Sequence, residues 1–310
     1  MKAFAILLVP VLIAVIGVGG VTFATHDQKG FDSLDDAVNA LVSAARAGDR
    51  KAMAEILGSA GRALVSSGDE IADRAALKEF VAAYDRVHRL EGGAGKVVLH
   101  VGADDYPFPI PLVPVGPAWF WDSETGKDEI LSRRIRENEL GAIEVCMAYV
   151  DAQREYYSED RGTGILEYAQ RLESTSGKHD GLVWEARPGE AQSPLGALIA
   201  RAHAEGYGGQ KRGQPVPYHG YLYRILFAQG PDARGGAYNF VVKGHMIGGF
   251  ALVAFPAKYE DSGIMTFLVS HDGVVYEKDL GPRTAQIATA MRTFNPDRTW
   301  RKAEAASLSP

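Results

Sequence analysis

The sequence predicts an α+β protein, in which helices and short strands come first and a long helix packed on an antiparallel β-meander follows. Helically spaced apolar residues recur near the start of the chain, and one periodic segment, residues 129–158, is far longer than the rest. Alternating strand patterns separated by turn signals fill the last third. A hydrophobic content of 46% and a charged content of 23% are typical of a folded globular chain with a substantial core.

Residues 30–127 are expected to form a first α+β unit. Asp32 or Ser33 can cap a first helix, and the segments "AGDRKAMAEIL" and "DRAALKEFVAAYDRVHRL" predict two more. The segments "GKVVLHVG", "FPIPLVPV" and "AWFWD" are typical of short strands broken by prolines. This order of elements resembles the cone-shaped fold of nuclear-transport-factor-2-like proteins.

Residues 128–300 are expected to form a second unit, and residues 301–310 a tail. The segment "EILSRRIRENELGAIEVCMAYVDAQREYYS" predicts a helix of roughly 40 Å. A short helix is predicted at "PLGALIARAHAEG", and strands are predicted from residue 218 onward, separated by turn signals such as Gly230-Pro231 and Asp272-Gly273. A last helix is predicted at "PRTAQIATAMRTF".

The first 24 residues form an export signal or an N-terminal anchor. Lys2 is followed by a run from Ala3 to Ala24 that carries no charge, and residues 22–24 fit a cleavage site. A run of this length can also span a bilayer if it is not cleaved. Both alternatives place the body of the protein outside the cytoplasm, in the periplasm or cell envelope, with membrane contact only through this segment if it stays uncleaved.

Several long phrases, taken in order, are similar to an exported bacterial family labelled domain of unknown function 2950. They are "DDYPFPIPLV", "NELGAIEVCMAYVDAQREY", "GKHDGLVW", "PYHGYLYRIL" and "MIGGFALVAFPAKYEDSGIMTFLVSHDGVVYEKDLG". The resemblance implies an envelope or periplasmic setting and no particular reaction. The C-terminal half also resembles type IV pilin-like and pseudopilin-like proteins, although no prepilin cleavage motif precedes the apolar run.

The sequence lacks the usual signatures of catalysis. HExxH, G-x-S-x-G and phosphate-loop motifs are absent, and the single Cys146 falls on the apolar side of the long helix. We therefore expect a non-catalytic protein without a cofactor. The net charge of −6 and scattered basic residues exclude a nucleic-acid footprint.

Two groups of residues are candidates for ligand binding. His219 in "PYHGY" lies where irregular chain enters the predicted sheet, which is a common place for a site, although packing also explains it. A group of aromatic side chains could line a pocket in the first unit or form its core: Tyr106, Phe108, Trp119, Phe120 and Trp121.

A weak calcium site is the only metal site that the sequence suggests. In "SEDRGTGILEYAQ", Asp160 and Glu167 retain the first and last acids of an oxygen-rich loop, but the intervening carboxylates are absent. A plain glycine turn is the alternative.

His271-Asp272-Gly273 is interpreted as the corner of a tight hairpin. Asp-Gly between two alternating strands favours a turn in which both central residues have positive φ, with Asp272 in solvent and nothing to orient His271. Gly248-Gly249 predicts a bulge or a close approach of two backbone segments.

These observations favour an exported binding or assembly module that faces an unknown envelope protein. The first alternative is a small-ligand binder or a hydrolase-type enzyme that uses the pocket of the first unit. The second is a structural surface component that pairs through a sheet edge.

Overall fold

A computed structural model describes residues 28–61, 64–93, 95–186, 189–207 and 216–303. The predicted signal peptide or anchor lies outside these residues, as do residues 304–310 of the predicted tail. None of the helices within the described ranges is both long enough and apolar enough to cross a membrane.

The fold is mixed α+β, as predicted. The described residues of the predicted first unit form three helices and five strands: α1 (Leu34–Ala47), α2 (Arg50–Gly61), α3 (Glu70–Arg86), β1 (His88–Gly93), β2 (Lys96–Val101), β3 (Tyr106–Pro107), β4 (Leu112–Val115) and β5 (Ala118–Trp121). The strands form one antiparallel sheet in the order β1-β2-β4-β5, with β3 paired to β2.

Local sequence explains where the first helices begin and end. Ser33 caps α1, because its hydroxyl accepts a hydrogen bond from Asp36 N, and Gly48 ends the helix in a left-handed conformation with φ +65°. The third predicted helix was wrong at its end. His88–Leu90 leaves the helix and pairs with Leu99–Val101 of β2, so that strand pairing replaces the last helical turn.

Apolar side chains fill the space between the three helices and the first sheet. Leu99 and Leu112 are fully buried, and Trp121 is 1% exposed with its indole N–H donated to Ala37 O. Phe108 packs edge-on against Trp121 with ring centroids 5.7 Å apart. The interior of the first unit is therefore a packed core.

The part of the chain predicted as the second unit begins with the long predicted helix, and its described residues continue with two more α-helices and nine strands. Its elements are α4 (Ser123–Tyr157), α5 (Gly196–Ala204), β6 (Tyr221–Leu226), β7 (Ala228–Gln229), β8 (Tyr238–Asn239), β9 (Val241–Val242), β10 (His245–Met246), β11 (Ala251–Pro256), β12 (Met265–Ser270), β13 (Tyr276–Asp279), α6 (Thr284–Ala290) and β14 (Arg301–Lys302).

A five-stranded antiparallel sheet, ordered β14-β13-β12-β11-β6, forms the centre of the second unit. All six residues of β11 are buried, because α4 and α6 both contact this strand. The apolar side of α4 contributes Ala142, Cys146 and Val150 to the core. From the same side of α4, the Glu139 carboxylate accepts hydrogen bonds from Ile264 N and Met265 N at the start of β12.

A buried carboxylate joins the two units. Asp69 is 2% exposed and caps α3, because its Oδ1 accepts hydrogen bonds from Ile71 N and Ala72 N. Its Oδ2 accepts one hydrogen bond from the Tyr207 hydroxyl at 2.7 Å and another from Gly220 N at 3.0 Å. The same side chain therefore stabilises a helix of the first unit and a turn of the second.

Candidate functional site

Three of the aromatic residues predicted to line a pocket differ in their surroundings. Trp121 lies in the core, and Trp119 lies half-buried on β5, where its backbone pairs with that of Phe31. Tyr106 is 38% exposed and lies beneath the guanidinium of Arg133, 4.9 Å from its ring centroid. Core packing accounts for the burial of Trp121.

His219 lies at the junction between the units. It has a φ of +49°, which is strained for a residue with a side chain, and its Nε2 lies 3.0 Å from Glu205 Oε2. Its backbone N–H is donated to the Tyr207 hydroxyl, and the Tyr218 ring packs edge-on at 4.3 Å. Burial and the hydrogen bond to Asp69 raise the pKa of Tyr207 above its usual value.

Asp160 and Glu167 have different hydrogen-bond partners. The Asp160 carboxylate accepts the backbone N–H groups of residues 162, 163 and 164, and Gly162 N is the first cause of its lowered pKa. Glu167 pairs with His245 at 3.1 Å. Across the described ranges, no group of three or more His, Cys, Asp or Glu side chains is arranged to hold a metal ion.

A cleft of about 310 Å³ opens where the β12–β13 connection meets the segment after β7. We call it the His271 cleft. Its lining residues come from the end of β7, from the loop that follows it, from the end of β12 and from the chain after α6: Gln229, Arg234, Gly235, Ser270, His271, Asp272 and Phe294. This volume lies at the lower end of the range for small-molecule sites.

The ring of His271 is held by the structure around it. Phe240 and Phe250 meet it edge-on, with centroid distances of 5.8 and 6.2 Å. The edge formed by Nδ1 and Cε1 lies against Gly249, where a Cβ atom would be only 2.6 Å from Nδ1. The close backbone approach predicted from Gly248-Gly249 is confirmed at Gly248, where an added Cβ would lie 3.1 Å from Asn239 O. At Gly249 only a glycine leaves room for the His271 ring.

The interpretation of residues 271–273 as a tight turn was partly wrong. Of the two predicted turn residues only Gly273 has positive φ. Asp272 Oδ1 accepts hydrogen bonds from the Ser270 hydroxyl at 2.8 Å and from Val274 N at 3.2 Å. This side-chain turn separates the last paired residues, Leu268 and Tyr276, and it orients both Asp272 and His271.

Gln229 is a buried polar residue of the cleft lining. It is 3% exposed, and its side-chain amide nitrogen donates to Arg234 O at 2.8 Å and to Gly236 O at 2.7 Å. Because both amide hydrogens are used by carbonyl groups, the side-chain oxygen Oε1 remains as a fixed acceptor.

The unpaired atoms of the cleft include both donors and acceptors. Nδ1 of His271 is buried and has no hydrogen-bond partner among the described residues. An unpaired acceptor costs less than an unpaired N–H group, so this environment favours the tautomer that carries its hydrogen on Nε2. Nε2–H is thus the donor of the ring.

The sequence contained one signal for this cleft, the glycine pair at 248–249, but not the cleft itself. Gln229 and Phe294 lie far from His271 along the chain. The backbone hydrogen bond from Phe294 N to Ala228 O brings their segments together, and no local pattern predicts that contact.

The fold and these contacts define a mixed α+β protein with two packed hydrophobic clusters and a polar cleft in the second. The chain matches the family described as "Protein of unknown function (DUF2950)" over residues 28–303, and it belongs to that family. No curated protein and no solved structure matches it.

Proposed function

We propose that this protein is an exported, non-catalytic binding module that holds a small polar ligand in the His271 cleft. The observation that carries the proposal is the fixed orientation of two side chains in one cleft. Gln229 is held by two carbonyl groups, and the His271 ring is held by two aromatic rings and Gly249. Side chains that are oriented before a ligand arrives lower the entropy cost of binding.

The packing of the first unit supports this choice of site. Trp121, one of the residues expected to line a pocket there, is 1% exposed and packs in the same core as Leu112, which is 0% exposed. Export is supported by the uncharged run from Ala3 to Ala24. N-terminal sequencing of the protein from fractionated cells tests it, and an intact terminus in the cytoplasmic fraction would contradict it.

The ligand proposal is tested by screening small polar compounds for their effect on the melting temperature. A ligand at ~100 times its Kd adds about 2.7 kcal/mol to the free energy of unfolding and raises Tm by several degrees. Gly249→Ala should abolish the shift, because the new Cβ displaces the His271 ring. Gly281→Ala is the matched control, since Gly281 also has positive φ (+73°) but no atom within 4 Å of the added Cβ.

Equal loss of binding in both glycine variants would show that general destabilisation is the cause. A screen in which no compound shifts Tm would refute the proposed function. The envelope partner expected from the sequence remains a separate prediction, and crosslinking in intact cells followed by capture of the protein tests it.

A further inference from the structure

We propose that the ligand of the His271 cleft is a small zwitterion, a free amino acid of low molecular mass. This inference rests on the proposed function and adds the chemical class of the ligand. It follows from the charges of the side chains that line the cleft, from the positions of the unpaired acceptors and from the volume of the cleft.

The lining of the cleft contains one positively charged and one negatively charged residue. Arg234, which carries a guanidinium, and Asp272, which carries a carboxylate, are both lining residues. Arg234 is exposed, and its guanidinium has no ion pair or hydrogen bond with the other described residues, so it is open to an anionic group. In a zwitterion, each charged group finds a side chain of opposite charge. A simple anion would instead be repelled by Asp272, and a simple cation by Arg234.

The acceptors of the cleft suit an ammonium group. Asp272 uses Oδ1 for Ser270 and Val274, which leaves Oδ2 as an acceptor. Gln229 contributes Oε1, because its amide nitrogen is bound to two carbonyl groups. An ammonium group has three donors and no acceptor, so a fixed carboxylate oxygen and a fixed amide oxygen complement it.

The donors of the cleft suit a carboxylate. The guanidinium of Arg234 presents parallel N–H groups that match the two oxygens of a carboxylate. The Nε2–H of His271 adds one donor, since Nδ1 is buried against Gly249.

Size separates this class from larger zwitterions. A cleft of about 310 Å³ lies at the lower end of the range for small-molecule sites, so it has room for a single amino acid. A folded peptide segment exceeds it.

The experiment is isothermal titration of the purified full-length chain with glycine, alanine and serine. Propionate and ethylammonium serve as probes, because each is alanine without one of its charged groups, and inorganic phosphate serves as a multivalent anion. We expect at least one amino acid to bind, and both single-charge probes to bind at least tenfold more weakly than alanine.

Two variants test the recognition of the carboxylate and of the ammonium group of the ligand separately. Arg234→Ala should weaken binding of the amino acid at least tenfold, and Asp272→Asn should do the same. The matched controls are Arg298→Ala and Asp128→Asn, which change exposed charges that do not line the cleft. The controls should leave the affinity within a factor of two.

The outcomes separate this inference from the proposed function. If propionate or phosphate binds as tightly as alanine, or if another polar compound binds and no amino acid does, the zwitterion inference is overturned and ligand binding stands. If Gly249→Ala also fails to affect the binding of that compound, the His271 cleft is not its site. If no compound of either series binds, both proposals fail.

Discussion

The two units surround their aromatic side chains with different neighbours. In the first unit, Phe108 packs against Trp121 and the rings fill the core. In the second, Phe240 and Phe250 are also part of the core, but they meet the ring of His271, which lines a cleft. The same residue types thus pack in both units and hold a polar ring only in the second of these two groups. The aromatic content of a segment therefore does not locate a site, whereas the polar groups that the rings surround do.

The largest effect expected from this comparison concerns Trp121→Ala. Removal of a fully buried aromatic side chain costs about 3–5 kcal/mol of the free energy of unfolding through lost burial and the remaining cavity. Urea unfolding measures the loss, and Trp119→Ala, at a half-buried position on the same strand, should cost clearly less. Ligand affinity of the folded fraction should not change, because Trp121 does not line the His271 cleft. Equal losses for both tryptophans would contradict the description of a filled core.

Asp69→Ala is expected to have the next largest effect. It leaves four donors without their acceptor in a buried place, and a loss of about 3 kcal/mol is expected. Asp49→Ala is the matched control, because Asp49 also accepts a helical N–H group, from Ala52, but at an exposed position. The Asp49→Ala variant should lose about 1 kcal/mol of the free energy of unfolding. If the two variants were equally stable, the link between the units would contribute nothing to stability.

Alkaline pH should weaken the second core through its buried ionisable groups. Burial raises the pKa of Cys146 to about 12, and burial also raises the pKa of Tyr149 and of Tyr221. As pH rises, the unfolded chain releases these protons before the folded chain does. The free energy of unfolding therefore keeps its full value below about pH 9 and falls as pH rises towards 12.

Cys146→Ala tests this assignment. Stability measured by urea unfolding between pH 9 and pH 12 should decline less steeply in the variant, by the contribution of one proton. The slope is compared rather than the absolute stability, since the substitution also removes buried volume. An unchanged slope would show that the thiol does not take part.

The smallest effect is expected for calcium. The Asp160 carboxylate already accepts three backbone N–H groups, and Glu167 is paired with His245. Millimolar calcium should therefore leave Tm unchanged in a thermal unfolding experiment. A rise of several degrees would revive the calcium loop suggested by the sequence.

Much of the fold was predictable because its signals are local. The long helix was expected at 129–158 and spans Ser123–Tyr157, and Ser33, one of the two residues expected to cap α1, is its N-cap. The short strand β1 was missed, since "HRL" continues a helical pattern and only pairing with β2 makes it a strand. A tertiary contact outweighed the local preference at that point.

The candidate site was less predictable, because its parts meet only in the folded chain. Asp-Gly correctly marked a turn, yet the hydrogen bond from Ser270 to Asp272 changed the type of turn and oriented His271. Gly249 was noticed without the histidine that lies against it. His219, which was preferred over His271, lies instead in a network that joins the two units.

The shared carboxylate of Asp69 has a consequence for how this chain can evolve. A change at residue 69 must suit the first turn of α3, the hydroxyl of Tyr207 and the backbone of Gly220 at once. Replacement of Tyr207 by phenylalanine would remove one donor and leave the capping role intact. Substitutions are therefore tolerated more easily at position 207 than at position 69. The two carboxylate oxygens of Asp69 constrain both halves of the chain at once.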